Sequence, residues 1–306
     1  MATAPPLFLK TAVAALPLIA LLAWADKTVP QAGAWALLLL SVSVGFVHGA
    51  LDAVLLPQRS VSRAQAALMF VAYLLLVLML GWLLGAAVSL ALWMLLLMSA
   101  WHFGEPYGRW DGLSHWKSGL TRAVVGGAPV MLPVWLTPDQ LAMILTDVVP
   151  AAGLRGWQVM ASLWLGLLAA WLLVGGLRYP RMLRYAWFEL IGCFGLYMLF
   201  SPLMAFALYF GVYHAPVHIW RVWRASANAG SHLSTRVAVS AVALTTVLTW
   251  LLGAGLWWFL TPGFTTALNF SAALQWLIVA FAALTAPHLV LISLCAAFLT
   301  GPNSSR

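Results

Sequence analysis

Long, uninterrupted apolar runs dominate this chain and limit what it can fold into. Residues 66–84, AALMFVAYLLLVLMLGWLL, contain no charged side chain. A run of about 20 such residues lets an α-helix cross the hydrocarbon core of a bilayer. Only 7% of the residues are charged and 64% are hydrophobic, whereas about 25% are charged in soluble domains. We therefore expect a membrane protein made of helices rather than barrel strands.

The number of these runs predicts the architecture. We expect an all-α, polytopic membrane helix bundle of about ten transmembrane helices, forming one transmembrane domain over residues 1–306. Tight connections near Gly85 and Pro202 leave eight or nine spans as alternatives. The first run ends in a sequence typical of signal-peptide cleavage, Ala23-Trp24-Ala25, but we expect an uncleaved helix. The predicted spans are 7–25, 33–56, 66–84, 87–104, 119–136, 157–177, 185–200, 203–221, 237–260 and 273–299.

The basic residues support ten spans with both termini in the cytoplasm. With that topology, thirteen of the fifteen lysines and arginines face the cytoplasm, as the positive-inside rule requires. Because these residues sit in short clusters between apolar runs, the net charge of +8 does not indicate a nucleic-acid partner. The predicted inside set is Lys10, Arg59, Arg63, Arg109, Lys117, Arg122, Arg178, Arg181, Arg184, Arg221, Arg224, Arg236 and Arg306, and the outside set is Lys27 and Arg155.

Histidine is the polar residue that most needs an explanation in these spans. Polar side chains at membrane depth are costly and usually functional. His48, His102, His214 and His218 precede a cytoplasmic arginine by eleven, seven, seven and three residues. At about 1.5 Å per residue, these four side chains from three helices share one layer in the cytoplasmic half of the membrane. His288 lies deeper in the last span.

The spacing of His214 and His218 favours a metal site. Residues four apart lie on one face of a helix, about one turn from each other. Pro216 between them removes a backbone N–H and tends to kink the helix. The alternative for each histidine alone is a hydrogen bond to a neighbouring helix. An all-imidazole site suits iron, zinc or copper, and the ligand type does not choose among them.

Acidic residues accompany the histidines. Asp52 follows His48 by four residues and Glu105 follows His102 by three, so each can lie on the same helix face as its histidine. A metal-bound imidazole usually donates its second N–H to such a carboxylate. We predict Asp52 and Glu105 as outer partners of the site, with His288 as an outer group or an alternative ligand. The other interpretation is that these acids pair with arginines at the membrane boundary.

The motifs in the order found here resemble those of the Brp/Blh family of bacterial and archaeal membrane proteins. They are HGALD at 48–52, WHFGE at 101–105, YHAPVH at 213–218 and TAPHLVL at 285–291. The resemblance runs from the second span to the last. The family cleaves β-carotene at its central double bond to make retinal. The resemblance implies a multi-pass protein of the bacterial inner membrane that acts as a dioxygenase on β-carotene, a substrate that dissolves in membrane lipid.

The resemblance also implies residue roles and partners. Fe(2+) would be held by His48, His102, His214 and His218, and O2 would be the second substrate. A rhodopsin that accepts retinal is an expected partner. Aromatic residues around the motifs are candidates to contact the polyene, and their alternative role is packing or facing lipid. These residues are Trp101, Phe103, Tyr209, Tyr213 and Trp220.

Other functions remain open from the residues alone. A transporter could use the intramembrane histidines and acids as a proton relay. Four histidines in one layer could also hold a b-type haem. A diverged family member could act on another carotenoid or assist rhodopsin assembly. A membrane di-iron hydroxylase is disfavoured, because it needs more histidines in tighter clusters than the five in these spans.

Overall fold

In a computed structural model, the residues described are 7–29, 31–55, 62–107, 115–176, 180–228, 235–260 and 270–294. These residues form helices and no strands. The α-helices are α1 (Leu7–Thr28), α2 (Ala32–Leu40), α3 (Phe46–Ala50), α4 (Asp52–Leu55), α5 (Arg63–Gly85), α6 (Val88–Phe103), α7 (His115–Leu136), α8 (Pro138–Leu145), α9 (Ala151–Gly176), α10 (Pro180–Leu199), α11 (Pro202–Leu208), α12 (Ala215–Asn228), α13 (Thr235–Leu260) and α14 (Phe270–Leu294).

Seven helical stretches of the described chain are long and apolar enough to cross a membrane, which confirms the predicted multi-pass helical class. The count of ten spans and the cytoplasmic location of both termini stay predictions. Arg59, Arg109, Arg178 and Arg306, on which the topology partly depends, lie outside the described residues. The seven stretches are Ala32–Leu55, Ala64–Gly85, Val88–Tyr107, Trp116–Leu136, Gly153–Val174, Thr235–Gly255 and Ser271–Ser293.

Helix α7 lies at the centre of the bundle. In its apolar window 67% of the residues are buried, against 11% in the windows of α5 and of α13. It packs against α6, α9 and α10, while α6 also packs against α14. Helices α5 and α13 expose leucine and tryptophan side chains such as Leu75, Trp82 and Leu251, as expected for surfaces that face lipid. Helix α7 thus forms the buried centre of the bundle, with α5 and α13 at its apolar surface.

Side chains from neighbouring helices satisfy backbone groups of α7. Pro133 has no N–H, so the carbonyl of Pro129 loses its usual helical donor. The hydroxyl of Tyr197 on α10 donates to that carbonyl at 2.5 Å. The indoles of Trp157 and Trp164 on α9 donate to the carbonyls of Val130 and Val124 at 3.1 and 2.9 Å. These bonds fix α9 and α10 on α7 where water cannot supply the partner.

Two π-helical turns lie in the helical stretches that carry His48 and the pair His214 and His218. One spans Ser41–Gly45 and ends three residues before His48, and the other spans Tyr209–His214. A π turn inserts an extra residue and so rotates the side chains that follow it around the helix axis. The two turns pack together closely, because a Cβ on Gly45 would lie 2.7 Å from the Phe210 ring. Sequence patterns predicted a bend at Pro216, and the structure has the irregular turn just before it.

Candidate metal centre

The histidines predicted to share one layer meet inside the bundle, and His288 joins them. His48, His102, His218 and His288 each offer a nitrogen that lies within 4.8 Å of the others. The centroids of their rings are 4.3 to 5.6 Å apart. All four are at least nine-tenths buried. We call these residues the histidine quartet.

His214 lies beside the quartet. Its ring centroid is 5.0 Å from that of His102 and 5.4 Å from that of His48. It also packs against Phe103 at 4.5 Å and parallel to Tyr209 at 6.2 Å. The structure therefore brings together all four histidines that the resemblance implied as ligands. By distance, however, His288 belongs to the quartet and His214 is its neighbour.

The nitrogens of these rings fit the needs of a metal ion. Among the described residues, Nδ1 of His48 and Nε2 of His102, His214, His218 and His288 are buried without a hydrogen-bond partner. A buried polar atom without a partner is costly, and most proteins avoid it. Five such atoms in one cluster are the donor set of a site that binds a cation through neutral imidazole. The residues present therefore fit a metal ion.

Asp52 orients one ring of the quartet. Its Oδ1 lies 2.8 Å from Nδ1 of His288, which leaves Nε2 of that ring facing the cluster. Its Oδ2 accepts a hydrogen bond of 2.7 Å from the hydroxyl of Tyr73 on α5. Sequence analysis placed Asp52 with His48 on one helix, whereas its partner is His288, on another helix. Sequence analysis did not identify Tyr73. Its hydroxyl in the apolar run 66–84 could have indicated a buried hydrogen-bond partner.

Two further acidic residues near the cluster, Glu105 and Glu189, have different environments. Glu105 lies 3.9 Å from Nδ1 of His102, which is a loose contact rather than a hydrogen bond. Glu189 on α10 is buried and accepts hydrogen bonds from the hydroxyls of Tyr107 and Tyr209 at 2.8 and 2.7 Å. Tyr209 in turn packs on His214. Glu189 therefore supports the His214 side of the cluster through an aromatic contact.

A cavity opens next to the quartet and encloses about 1290 Å³, its open mouth included. His48, His102 and His288 form part of its wall together with Asp52 and Tyr73, and most of the other wall residues are apolar. Phe70 and Leu78 on α5 and Leu252 on α13 belong to the wall, on the two helices that are most exposed to lipid. An apolar molecule entering from the membrane would thus meet the histidines without crossing water.

Six phenylalanines line this cavity: Phe46, Phe70, Phe103, Phe206, Phe210 and Phe281. Of the aromatic residues that sequence analysis singled out, Phe103 is among them. The other four lie outside the lining: Tyr209 is buried against Glu189, and the side chains of Trp101, Tyr213 and Trp220 are 38%, 46% and 60% exposed. The spacing of three of these phenylalanines could have placed them on the same helix face as a histidine. Phe206 and Phe210 precede His214 by eight and four residues, and Phe281 precedes His288 by seven.

We expect the Asp52→Asn variant to bind a divalent metal about 10- to 100-fold more weakly, as is usual when an outer partner of a ligand is lost. Asparagine keeps the size of the side chain but removes the charge that holds His288. Titration of the purified protein with metal measures the change. Asp26→Asn is the matched control, because Asp26 binds Ser201 on another part of the bundle. Equal affinity for wild type and Asp52→Asn would contradict the role of Asp52.

Comparison with known proteins places these residues in context. A family model described as beta-carotene 15,15'-dioxygenase matches residues 38–296. The chain belongs to this family. It is 27% identical over 283 residues to the beta-carotene 15,15'-dioxygenase of uncultured marine bacterium 66A03, an alignment that covers 89% of this chain and 96% of that protein. No solved structure gives a significant match. The resemblance predicted from the motifs is confirmed.

All five clustered histidines lie within the region matched by the beta-carotene 15,15'-dioxygenase family. So do Asp52, Tyr73 and every residue that lines the adjacent cavity. The first helix, α1, lies before the matched region. The features that could carry chemistry thus coincide with the part of the chain that defines the family.

Proposed function

We propose that this protein is a membrane non-haem iron oxygenase that cleaves the central double bond of β-carotene with O2 to give two molecules of retinal. The observation that carries the proposal is the buried histidine quartet, three members of which form part of the wall of a mostly apolar cavity. Membership of the beta-carotene 15,15'-dioxygenase family supports the substrate and the reaction. We further propose that the chain forms a single domain in the bacterial inner membrane and passes retinal to a rhodopsin.

The reaction is balanced by its two substrates. The central carbon–carbon double bond breaks, and each of its carbons receives one oxygen atom of O2. The carbons are oxidised to aldehydes and O2 is reduced, so no further electron donor or organic cofactor is needed. A bound Fe(2+) ion would supply the one-electron chemistry that lets O2 react with a closed-shell polyene.

The histidines would provide the metal site. His48, His102 and His218 belong both to the ligand set that the resemblance implies and to the quartet. For the fourth position, the resemblance implies His214 and the distances favour His288. The bond between Asp52 and Nδ1 of His288 favours His288 further, because a ligand imidazole commonly donates its other N–H to a carboxylate. The two assignments differ in which single variant, His214→Ala or His288→Ala, loses the metal.

The cavity wall would bind and position the polyene. Its phenylalanine rings present flat apolar surfaces, and such surfaces stabilise a conjugated rod through burial and ring contacts. The apolar part of the lining would also keep bulk water from the reacting carbons, and the rings of His48, His102 and His288 belong to the same wall. Phe103 packs on His214 and also lines the cavity, which links the substrate surface to the histidine cluster.

Retinal formation in cells tests the proposal. Bacteria that make β-carotene are expected to lose it and accumulate retinal when they express the wild-type protein. Cells that express the His48→Ala variant at the same level should keep their β-carotene, because His48 touches every other member of the quartet. Gln158→Ala, an exposed change on α9, serves as the control and should behave as wild type. Unchanged β-carotene with well-folded wild-type protein would contradict the assigned substrate.

A further inference from the structure

A second apolar cavity lies next to the first. The two share four lining residues, Leu95, Ser99, Phe206 and Phe281, so they adjoin at these side chains, a boundary that we call the neck. Phenylalanine rings form part of the neck. Phe210 stacks on Phe206 with ring centroids 6.0 Å apart, and it contacts Phe281 edge-on with ring centroids 5.5 Å apart. Among the described residues, no histidine lines the second cavity. The cavity that bears the histidines and the one behind the neck are therefore adjacent apolar chambers.

The second cavity extends away from the histidines along the helix axes. Leu92 on α6 lines it and precedes His102 by ten residues, which corresponds to about 15 Å of helix. Leu274 on α14 also lines it and precedes His288 by fourteen residues, or about 21 Å. Leu141 and Leu145 of the short helix α8 form another part of the wall. The cavity thus gives a rod-shaped molecule room to extend well beyond the metal site.

The wall of this second cavity is suited to hydrocarbon. Two large side chains with a polar group line the second cavity, Trp157 and Tyr197. Their indole N–H and phenol O–H already donate hydrogen bonds to carbonyls of α7. They therefore present ring carbons, rather than free hydrogen-bonding groups, to the space they line. Most other wall residues are leucine, isoleucine, valine, proline or phenylalanine. A polar ligand would lose its hydrogen bonds with water here and gain none in return.

We propose that the second cavity binds one arm of the polyene and thereby sets which double bond stands beside the histidines. The inference rests on the proposed function. A rod that is cut in its interior must extend from the reactive site in two directions, and two chambers that meet at a neck provide this. The histidine-bearing chamber, which reaches the lipid-exposed helices α5 and α13, receives the other arm. The depth of the second cavity then fixes the register of the rod, and an equal split follows from it.

Filling the second cavity tests this assignment. Leu277 on α14 and Leu141 on α8 line it without touching the first cavity, and phenylalanine at either position would shorten it. We expect both Leu277→Phe and Leu141→Phe to lower retinal formation from β-carotene by at least about tenfold, or to shift cleavage to an off-centre bond that gives two unequal aldehydes. Leu97→Phe, at a 55% exposed position on α6, is the matched control and should change neither.

A shortened substrate distinguishes a blocked arm from general damage. An apocarotenal that keeps one ring but lacks most of the second arm should be cleaved by both filled variants at nearly the wild-type rate. The amount of β-carotene that copurifies with each variant, read from its visible absorption, should fall in parallel with cleavage. The inference would be overturned if the filled variants bound β-carotene normally and released only retinal at the wild-type rate. Failure of the wild-type protein itself to make retinal would instead overturn the proposed function.

Discussion

The His218→Ala variant is expected to bind little or no iron and to form retinal at least about 100-fold more slowly than the wild type, a larger loss than is usual when an outer partner of a ligand is removed. His218 belongs to both ligand assignments, and its buried Nε2 has no other partner among the described residues. Its ring lies 4.3 Å from that of His48, the shortest separation in the quartet. Alanine favours helix, so α12 should still form. Iron per protein chain and retinal formed per minute measure the effect.

The same two measurements on His214→Ala and His288→Ala decide the fourth ligand. If His288 holds the metal, His288→Ala should lose iron and His214→Ala should retain most of it; the reverse result would support the assignment from the resemblance. Gln158→Ala again provides the control, with wild-type iron and activity. The account of the metal centre would be wrong if His218→Ala kept full iron content and full activity.

The Gly104→Ala variant is expected to destabilise the fold severely. A Cβ at Gly104 would overlap the backbone of Arg122 on α7, because the end of α6 touches that helix directly. A backbone cannot swing aside as a side chain can, so the helices would have to separate. The loss of unfolding free energy should exceed the roughly 1–3 kcal/mol typical of overpacking. Because His102 is two residues away, the shift would also move a member of the quartet.

Thermal unfolding of purified protein in detergent measures this effect. Gly195→Ala on α10 is the matched control, since a Cβ there meets nothing within 4 Å. That change should be neutral or stabilising by up to about 1 kcal/mol, because alanine has the higher helix propensity. Equal unfolding midpoints for the two variants would show that the close contact between α6 and α7 does not matter for stability.

Much of the helical layout was predictable because each span is an apolar run of its own. The ten predicted spans each correspond to helix in the described chain, including the run 203–221, which the structure builds from α11, a π turn and α12. The short helix α8 was missed, since its eight residues are too few to stand out as a span. Which runs cross the membrane is a separate question, and the count of ten stays a prediction.

The histidine cluster was predictable in part. Counting residues from the cytoplasmic arginines predicted that one layer of the membrane holds His48, His102, His214 and His218. In the structure their rings do lie together. His288 was placed deeper, whereas it belongs to the quartet. Its depth was counted from Gly301, thirteen residues later, and a glycine marks no membrane boundary comparable to an arginine cluster.

The direction in which side chains point was the least predictable feature. Trp101 and Phe103 flank His102 in sequence, yet Trp101 stacks under Arg122 at 4.0 Å on a partly exposed surface while Phe103 lines the cavity. The π turns at Ser41–Gly45 and Tyr209–His214 rotate the residues after them, and no sequence pattern marks such turns. Contacts between helices, such as the one from Asp52 to His288, depend on these rotations.

The stoichiometry of the reaction with purified protein supplied with Fe(2+) tests the proposed cleavage of β-carotene directly. β-Carotene is mixed with the protein without oxygen, air is then admitted, and the polyene consumed and the aldehydes formed are measured by chromatography. The account predicts no product before air and two retinal molecules for each β-carotene afterwards. Retinal formation without oxygen, or products of unequal length in place of retinal, would contradict it.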